Sequence, residues 1–202
     1  MKIEVAGAGA GKTTKLAQKI IDKYSRNNGK MIYCVSFTNS SVNTIINKLE
    51  SYYGEIPKNI KVTTIHSFLN SEFITPYYYL LYNKQFHNVS NTSLGSDPKY
   101  KNTQLKKLEN RGFLHVESFT AKAKYIICGK STDRKRHRDI RKKIQALFSN
   151  YFDVLYVDEA QDIDKNFKEI LIKFNELGID IELIGDPKQD LKGFGFLSEL
   201  VE

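Results

Sequence analysis

A glycine-rich segment near the start of the chain has the residue types and spacing that suit phosphate binding. Ala6 is followed after four residues by Gly11, Lys12 and Thr13, between an apolar run typical of a strand and a run typical of a helix. Glycines adopt backbone angles closed to other residues, so successive N–H groups can surround phosphate oxygens at the positive end of a helix. We predict that Lys12 reaches the β- and γ-phosphates and that Thr13 offers its hydroxyl to Mg²⁺.

The same pattern predicts the full set of phosphate-binding residues. The predicted nucleotide-binding residues are Gly7, Ala8, Gly9, Ala10, Gly11, Lys12, Thr13 and Thr14. The alternative interpretation is a Gly/Ala-rich turn with an exposed lysine, and the flanking strand and helix argue against it.

An acidic pair follows a second apolar run, residues 154–157. In open α/β sheets ligands bind at the carboxyl edge of the strands, which is where Asp158 and Glu159 would stand. We predict that Asp158 holds Mg²⁺ through water and that Glu159 polarises the attacking water. The alternative is a pair of acids that caps the following helix. After a further apolar run, Gln189 is predicted to sense the γ-phosphate, with a surface loop as its alternative.

Hydrophobic periodicity predicts the elements that must position these residues. Strand-like runs begin near residues 3, 31, 61, 154 and 181, and helix-like runs lie between them. This alternation predicts an α/β fold with a parallel sheet and helices on both faces. From 70 to 150 the alternation breaks down, and we predict a mostly helical insertion there. Within it, residues 88–96 are predicted as a loop. An amphipathic helix is predicted from its apolar residues Ile140, Ile144, Leu147 and Phe148, with Arg138, Arg141 and Lys142 on its flank.

Charge is concentrated in that insertion. The chain of 202 residues carries a net charge of +8. Residues 99–143 hold 15 basic and 4 acidic residues, a net charge of +11, so the rest of the chain carries −3. This distribution predicts a polyanionic partner, and the alternative is a solvated lysine-rich surface. Cys34 and Cys128 are too few for a disulfide framework or a zinc site, and no stretch of 18 apolar residues occurs, so we expect a cytoplasmic protein without a membrane segment.

Five blocks of the sequence, in order, resemble motifs of superfamily 1 helicases of the UvrD/Rep/PcrA type. The blocks similar to motifs I, Ia, Ib, II and III are residues 6–14, 35–39, 64–68, 157–162 and 185–189. The resemblance implies a RecA-like P-loop NTPase fold, with residues 1–69 and 151–202 forming the first RecA-like domain (1A) and residues 70–150 a basic 1B-like insertion. It also implies Mg-dependent ATP hydrolysis coupled to binding of single-stranded DNA, with RNA still open.

Further roles follow from that resemblance. The residues expected to line a track for single-stranded DNA are Phe37, Thr38, Asn39, His66, Ser67, Phe68 and Phe194. For Phe37 and Phe68, core packing is an equal alternative. Helicases of this type close ATP between two RecA-like domains, so a second domain or a partner subunit is expected to supply an arginine finger. The chain alone is expected to hydrolyse ATP slowly. The family's adenine-reading glutamine segment has no counterpart before Ala6, so base specificity stays open.

Three other functions remain open. The chain could be a non-motor module in which ATP acts as a conformational ligand, or a helicase-like subunit that works beside a nuclease. A P-loop kinase is the third, and its arginine lid would come from Arg134, Arg136, Arg138 and Arg141. The kinase interpretation leaves the blocks around Phe37 and Asp158 without a role.

Overall fold

The fold is built on one five-stranded parallel sheet. The computed structural model describes residues 1–5, 11–26 and 29–186. The strands of this sheet are β1 (Lys2–Val5), β2 (Met31–Ser36), β3 (Ile60–Thr64), β6 (Phe152–Val157) and β7 (Asp180–Gly185). Their order is β1-β7-β6-β2-β3, and every neighbouring pair is parallel. This confirms the predicted α/β fold and is consistent with a RecA-like P-loop NTPase.

Eight helices and a small second sheet complete the described part of the chain. The helices are α1 (Lys12–Tyr24), α2 (Asn39–Tyr53), α3 (Ile65–Leu69), α4 (Thr75–Tyr82), α5 (Pro98–Asn110), α6 (Phe119–Ile127), α7 (Lys135–Tyr151) and α8 (Lys165–Glu176). A π-helical turn, Asn70–Ile74, joins α3 to α4, and 3₁₀ turns span Val116–Ser118 and Ala160–Asp162. None of the helices in these ranges combines the length and the apolar character needed to cross a membrane.

The two faces of the large sheet are covered by different cores. Along β2, Ile32 and Cys34 pack with α1 and α2, whereas Tyr33 and Val35 face the opposite core. This alternation follows from the two-residue period of a strand, and burial on both faces explains why the run is continuously apolar. The second core is rich in aromatic rings: Tyr33 stacks on Phe152 with ring centroids 4.5 Å apart.

The insertion shares that aromatic core. Phe73, Leu114, Phe119 and Phe148 belong to the same buried cluster as the strands β2 and β6. The assignment of residues 70–150 as a separate 1B-like subdomain stays a prediction. The expected loop over 88–96 is wrong at its start, because β4 (Asn88–Ser90) pairs in parallel with β5 (Phe113–His115). A strand of three residues is too short for its periodicity to be recognised in the sequence.

Helix α7 buries Ile144 and Phe148 as predicted, but two of its other residues differ from the prediction. Leu147 is exposed, and Arg141, expected on the flank, is 6% exposed. The buried face of the helix passes through Arg141, Ile144 and Phe148, at the spacing of three and four residues that one helix face requires. Leu147 precedes the buried Phe148 by one residue. Its side chain is therefore rotated by roughly 100° around the helix axis from that of Phe148 and points away from the core.

A buried ion pair explains why an arginine occupies that face. Arg141 binds the carboxylate of Asp133, donates from Nε to the Ile126 carbonyl at 3.0 Å, and contacts the Tyr82 hydroxyl at 3.3 Å. Burial acts to raise the pKa of the Asp133 carboxyl, but the Lys130 N–H donor and the Arg141 guanidinium outweigh it and lower the pKa below its usual value. The buried Asp133 carboxylate and the Nε and Nη2 atoms of Arg141 therefore have hydrogen-bond partners.

Breaking this pair is expected to destabilise the fold. Asp133→Ala leaves the Arg141 charge buried without its partner, and we expect a loss of about 3–5 kcal/mol in the free energy of unfolding, measured with urea. Because the folded pKa of Asp133 is lowered, the carboxylate stabilises the protein above its unfolded pKa of 3.8, and this is lost as the pH falls through the folded value.

The matched control for that variant is Asp139→Ala. Asp139 is an exposed aspartate on α7, so its removal is expected to change stability by no more than about 0.5 kcal/mol. Equal losses in the two variants would contradict a structural role for the Asp133–Arg141 pair.

Candidate nucleotide-binding site

The predicted catalytic and metal-binding residues in the described part of the chain lie together at the carboxyl edge of the large sheet. Gly11 and α1 follow β1, and Asp158 and Glu159 follow β6, with only β7 between the two strands. Gly11 has a backbone φ of 69°, which favours glycine, and its carbonyl accepts the N–H groups of Thr14 and Lys15 at 3.0 Å. The geometry therefore starts α1 at this edge, with its N-terminal N–H groups directed at the site.

Lys12 and Glu159 are brought into direct contact. The Nζ atom of Lys12 lies 3.4 Å from Oε2 of Glu159, although the two residues are 147 positions apart. Lys12 is the first residue of α1, and its side chain is largely buried. The ammonium group is therefore fixed at the carboxyl edge of the sheet. Two of the predicted catalytic residues thus form an ion pair.

Asp158 is the most buried acidic group of the site. It is 3% exposed, its backbone N–H donates to the Val35 carbonyl at 2.9 Å, and Oδ2 lies 3.5 Å from the Ser36 hydroxyl. Burial raises the pKa of the Asp158 carboxyl, and the Glu159 carboxylate raises it further. The backbone N–H of Glu159, the Lys12 ammonium and the Ser36 hydroxyl act in the opposite direction without offsetting the rise. The Asp158 carboxylate is therefore poorly compensated, which favours the approach of a cation.

The donors at this edge suit magnesium. Thr13 on the first turn of α1 supplies a hydroxyl, Ser36 at the end of β2 supplies another, and Asp158 supplies a carboxylate. Mg²⁺ prefers oxygen ligands and keeps several waters, so one buried carboxylate and a hydroxyl form a suitable protein share of its coordination. Thr13 and Asp158 are the residues that could hold this ion.

Glu159 is held in an unusual backbone conformation. Its φ of 54° and ψ of 45° are left-handed, a conformation that costs a non-glycine residue on the order of 1–3 kcal/mol. The side chain is fixed by Gln161, whose Nε2 donates to Oε2 of Glu159 at 2.6 Å. Oε1 of Gln161 accepts the backbone N–H of Asp186, at the end of β7, at 3.1 Å. Gln161 therefore connects the acidic pair to the neighbouring strand.

Two of these contacts were not assigned from the sequence. Ser36 and Gln161 lie inside blocks that resemble helicase motifs, but no role was predicted for either side chain. For Ser36, the available signal was that a hydroxyl residue ends the strand next to β6. For Gln161, the contact depends on the turn after β6, which the sequence does not specify.

The residues predicted to contact nucleic acid lie, within the described part of the chain, along the ends of β2 and β3. These strands are neighbours, with Ser36 opposite Thr64. Of the predicted track residues, Thr38, Asn39, His66 and Ser67 are exposed there, whereas Phe37 is half-buried and Phe68 is fully buried in the aromatic core.

Some of these side chains already have structural partners. The hydroxyls of Thr38 and Thr64 accept the N–H groups of Ser41 and Ser67 and so cap α2 and α3. The His66 ring stacks on Phe119 at 5.2 Å. The predicted site residues Gly7, Ala8, Gly9, Ala10, Gln189 and Phe194 lie outside the described residues.

The buried acid should lower the stability of the free protein at neutral pH. We expect Asp158→Asn to raise the melting temperature by about 2–4 °C, which corresponds to about 1 kcal/mol in a domain of this size. Because the folded pKa of Asp158 is raised, the wild-type protein gains stability relative to the variant as the pH falls through that pKa toward the unfolded value of 3.8. Thermal unfolding across this pH range measures the convergence. A pH-independent difference between the two proteins would contradict it.

Comparison with known proteins bears on the same region. The family model AAA_19, described as an AAA domain, matches residues 2–195, nearly the whole chain. A search of curated proteins finds none that matches. The matched range includes β1, the start of α1 at Lys12 and the acidic strand end at Asp158. The chain therefore belongs to the AAA_19 family, a helicase-like family of P-loop domains that occurs in UvrD/Rep-type proteins.

Proposed function

We propose that the chain binds ATP with Mg²⁺ at the edge formed by α1 and β6 and hydrolyses it as the motor domain of a UvrD-like superfamily 1 DNA helicase. The observation that carries this proposal is the 3.4 Å contact between Lys12 and Glu159. A phosphate-binding lysine and an acid that can activate water must converge for such hydrolysis, and here they do so from opposite ends of the chain. Membership of the AAA_19 family supports ATPase activity in general.

The ion pair suggests how nucleotide binding would prepare the site. The β- and γ-phosphates carry more negative charge than one carboxylate, so they attract the Lys12 ammonium away from Glu159. Glu159 keeps its position because Gln161 holds it at 2.6 Å, and its carboxylate becomes available to orient a water molecule. Thr13 and Asp158 would hold Mg²⁺, whose charge neutralises that developing on the phosphate oxygens.

Replacement of Glu159 by glutamine distinguishes a motor that hydrolyses ATP from a protein that only binds ATP as a switch. We expect Glu159→Gln to lower the ATP turnover rate by about 10²–10⁴-fold, because the amide cannot accept the proton of the attacking water. The dissociation constant for ADP, measured by isothermal titration calorimetry, should change little. The exposed Glu55→Gln is the matched control and should keep full turnover.

A different result would favour the non-motor alternative. If the wild-type chain binds ATP with negligible turnover and Glu159→Gln changes neither, ATP acts as a conformational ligand and not as fuel. Loss of binding as well as turnover would assign Glu159 to the folding of the site.

The proposed nucleic-acid track runs over the adjacent ends of β2 and β3. Support comes from the exposure of Thr38, Asn39, His66 and Ser67 on neighbouring strands, at the edge where the nucleotide would bind. The nucleotide site and the proposed track lie at the same edge of the sheet. Movement of the ends of β2 and β3 on ATP binding would therefore be transmitted to a bound nucleic acid. Single-stranded DNA is the proposed partner, with RNA as the alternative outcome of the test.

A second RecA-like domain or a partner subunit is proposed as the source of the arginine finger. A finger of this kind raises phosphoryl-transfer rates by about 10³–10⁵-fold. Two arginines of the insertion are engaged within it, because Arg141 pairs with Asp133 and Arg138 donates to the Asp133 carbonyl at 2.8 Å. The same contacts argue against these two residues as the lid of a P-loop kinase.

Titration with single-stranded DNA tests the track. If phosphates are bound by Lys and Arg, affinity should fall steeply between about 50 mM and 200 mM salt. Asn39→Ala should weaken binding by about 3- to 10-fold through a lost hydrogen bond, whereas Asn47→Ala, an exposed asparagine on the same helix, should not. A flat salt response, or equal effects of the two variants, would rule out this track. Duplicate titrations with single-stranded RNA distinguish the two nucleic acids.

A further inference from the structure

A cavity of about 640 Å³ opens in the insertion, between the end of α4 and the start of α7. Its size falls within the range of roughly 300–1,000 Å³ found for small-molecule sites. The lining residues that carry chemistry are Tyr79, Tyr82 and Asn83 from the end of α4 and Arg136 and His137 from the first turn of α7. None of them belongs to the nucleotide-binding edge or to the proposed nucleic-acid track, so the proposed function leaves this cavity without a role.

The wall formed by α7 is positively charged. Its first turn contains no acidic residue, and among the described residues no carboxylate lines the cavity. Arg136 is exposed and makes no ion pair or side-chain hydrogen bond with the part of the chain that the structure describes. By contrast, Arg138 and Arg141 on the same helix are engaged with Asp133. The Arg136 guanidinium is therefore available to bind an anion, and it stands at the end of α7 where the helix dipole favours negative charge.

The adjacent His137 ring is held in place through one of its nitrogens. Nδ1 of His137 accepts the backbone N–H of Arg134 at 3.3 Å and lies 3.4 Å from a carboxylate oxygen of Asp133. A neutral ring whose Nδ1 is the acceptor carries its proton on Nε2, so Nε2 is the atom that can donate to a ligand. The side chains of Arg136 and His137 thus bring two kinds of donor to the same wall, and both are suited to phosphate oxygens.

The opposite wall, on α4, carries an aromatic ring that is not engaged. Tyr79 is 53% exposed, and its side chain makes no ring contact or hydrogen bond with another described residue. Tyr82 differs, because its hydroxyl donates to the Tyr125 carbonyl at 2.8 Å and the Lys130 ammonium lies 3.8 Å from its ring centroid. Tyr82 therefore fixes the shape of the wall, whereas Tyr79 offers a planar surface on which a flat aromatic group can stack.

A polar side chain lies where α4 ends. Asn83 has a backbone φ of 51° and donates its N–H to the Tyr79 carbonyl at 2.8 Å, which caps the helix. Glycine adopts this left-handed conformation without strain, so the turn itself does not require a side-chain amide. The amide of Asn83 can both donate and accept hydrogen bonds, as the edge of a nucleobase does.

We propose that this cavity is a second ligand site, separate from the nucleotide-binding edge, for a planar aromatic compound that carries a phosphate group, such as a nucleoside monophosphate. Arg136 and His137 bind the phosphate, Tyr79 stacks on the aromatic base, and Asn83 bonds to the edge of that base. The ligand is either a free nucleotide or the phosphorylated end of a nucleic acid strand, since both present the same base and phosphate. Because the ligand joins α4 to α7, its binding stabilises the insertion.

Binding of AMP to the full chain, measured by isothermal titration calorimetry, tests the site. Arg136→Ala should weaken AMP about tenfold through loss of a charge-assisted hydrogen bond, and Tyr79→Ala should weaken it about tenfold through loss of stacking. Tyr79→Phe, which keeps the ring, should retain the affinity. Asn83→Gly, which keeps the left-handed backbone, should weaken AMP about threefold. AMP binding should persist in Lys12→Ala, because Lys12 belongs to the nucleotide-binding edge and not to the cavity.

Matched controls come from neighbouring surface positions. Lys135→Ala removes an exposed cation one residue before Arg136 that does not line the cavity. Tyr100→Ala removes an exposed tyrosine on α5. Neither control should change the affinity for AMP. Equal losses in Lys135→Ala and Arg136→Ala would mean that the basic surface attracts AMP without a defined site, and this result would overturn the proposal.

Two oligonucleotides of the same sequence, with and without a 5′-phosphate, distinguish the two sources of the ligand. Tighter binding of the phosphorylated strand, with the difference removed by Arg136→Ala, assigns the site to strand ends. AMP binding that depends on Arg136 without such a difference assigns it to a free nucleotide. The proposal is overturned if the wild-type chain binds neither AMP nor the phosphorylated end in preference, or if AMP binding is lost in Lys12→Ala and kept in Arg136→Ala. Absence of ATP hydrolysis would overturn the proposed function and leave this site standing.

Discussion

The buried carboxylate of Asp158 is the constraint on which the arrangement of the site depends. Strand β6 is covered on both faces, so the residue that follows it emerges at the sheet edge with little access to water. Burial of an acid is unfavourable unless a cation or hydrogen-bond donor compensates it. The protein places Ser36 and Lys12 nearby, but Glu159 adds a second negative charge, and the net result is a raised pKa. A site of this kind gains stability when a cation binds.

The Lys12–Glu159 ion pair follows from the same problem. Two adjacent carboxylates repel one another, and the left-handed backbone at Glu159 turns its side chain toward Lys12 and Gln161. Backbone strain of about 1–3 kcal/mol is thereby offset by charge-assisted hydrogen bonds from Lys12 and Gln161 to Oε2 of Glu159. Gln161 also accepts the Asp186 N–H, so the position of Glu159 depends on the end of β7. Since β7 lies between β1 and β6, the two halves of the site are joined through the strand that separates them.

The sequence predicts the parts of this arrangement that are determined by periodicity. Carboxyl ends of parallel strands share an edge, so the convergence of Lys12 with Asp158 and Glu159 follows once β1 and β6 are recognised. Phe68 shows the limit: an aromatic beside exposed motif residues was an equal candidate for stacking or for the core, and it is fully buried. Arg141 shows a second limit of prediction from the sequence. Its burial depends on Asp133, Ile126 and Tyr82, and a helical pattern cannot reveal a distant carboxylate or carbonyl.

The charge of residues 99–143, within the insertion, is less available to a polyanion than their net value of +11 suggests. Several of its cations are already engaged: Arg141 with Asp133, Lys122 with Glu109, and Lys124 with Glu169 on α8. Lys130 lies over the Tyr82 ring at 3.8 Å, and burial together with Lys122 lowers its pKa.

The basic residues exposed on α5 and α7 are a different population. They include Lys106, Lys107, Lys135, Arg136, Lys142 and Lys143. Because these side chains extend into water from two helices, they contribute to the long-range field that attracts a polyanion, and this field weakens as salt is added. The engaged cations stabilise the insertion and its contact with α8. The basic composition of the insertion therefore serves two separate purposes, and only the exposed helix faces can contribute counterion release to binding.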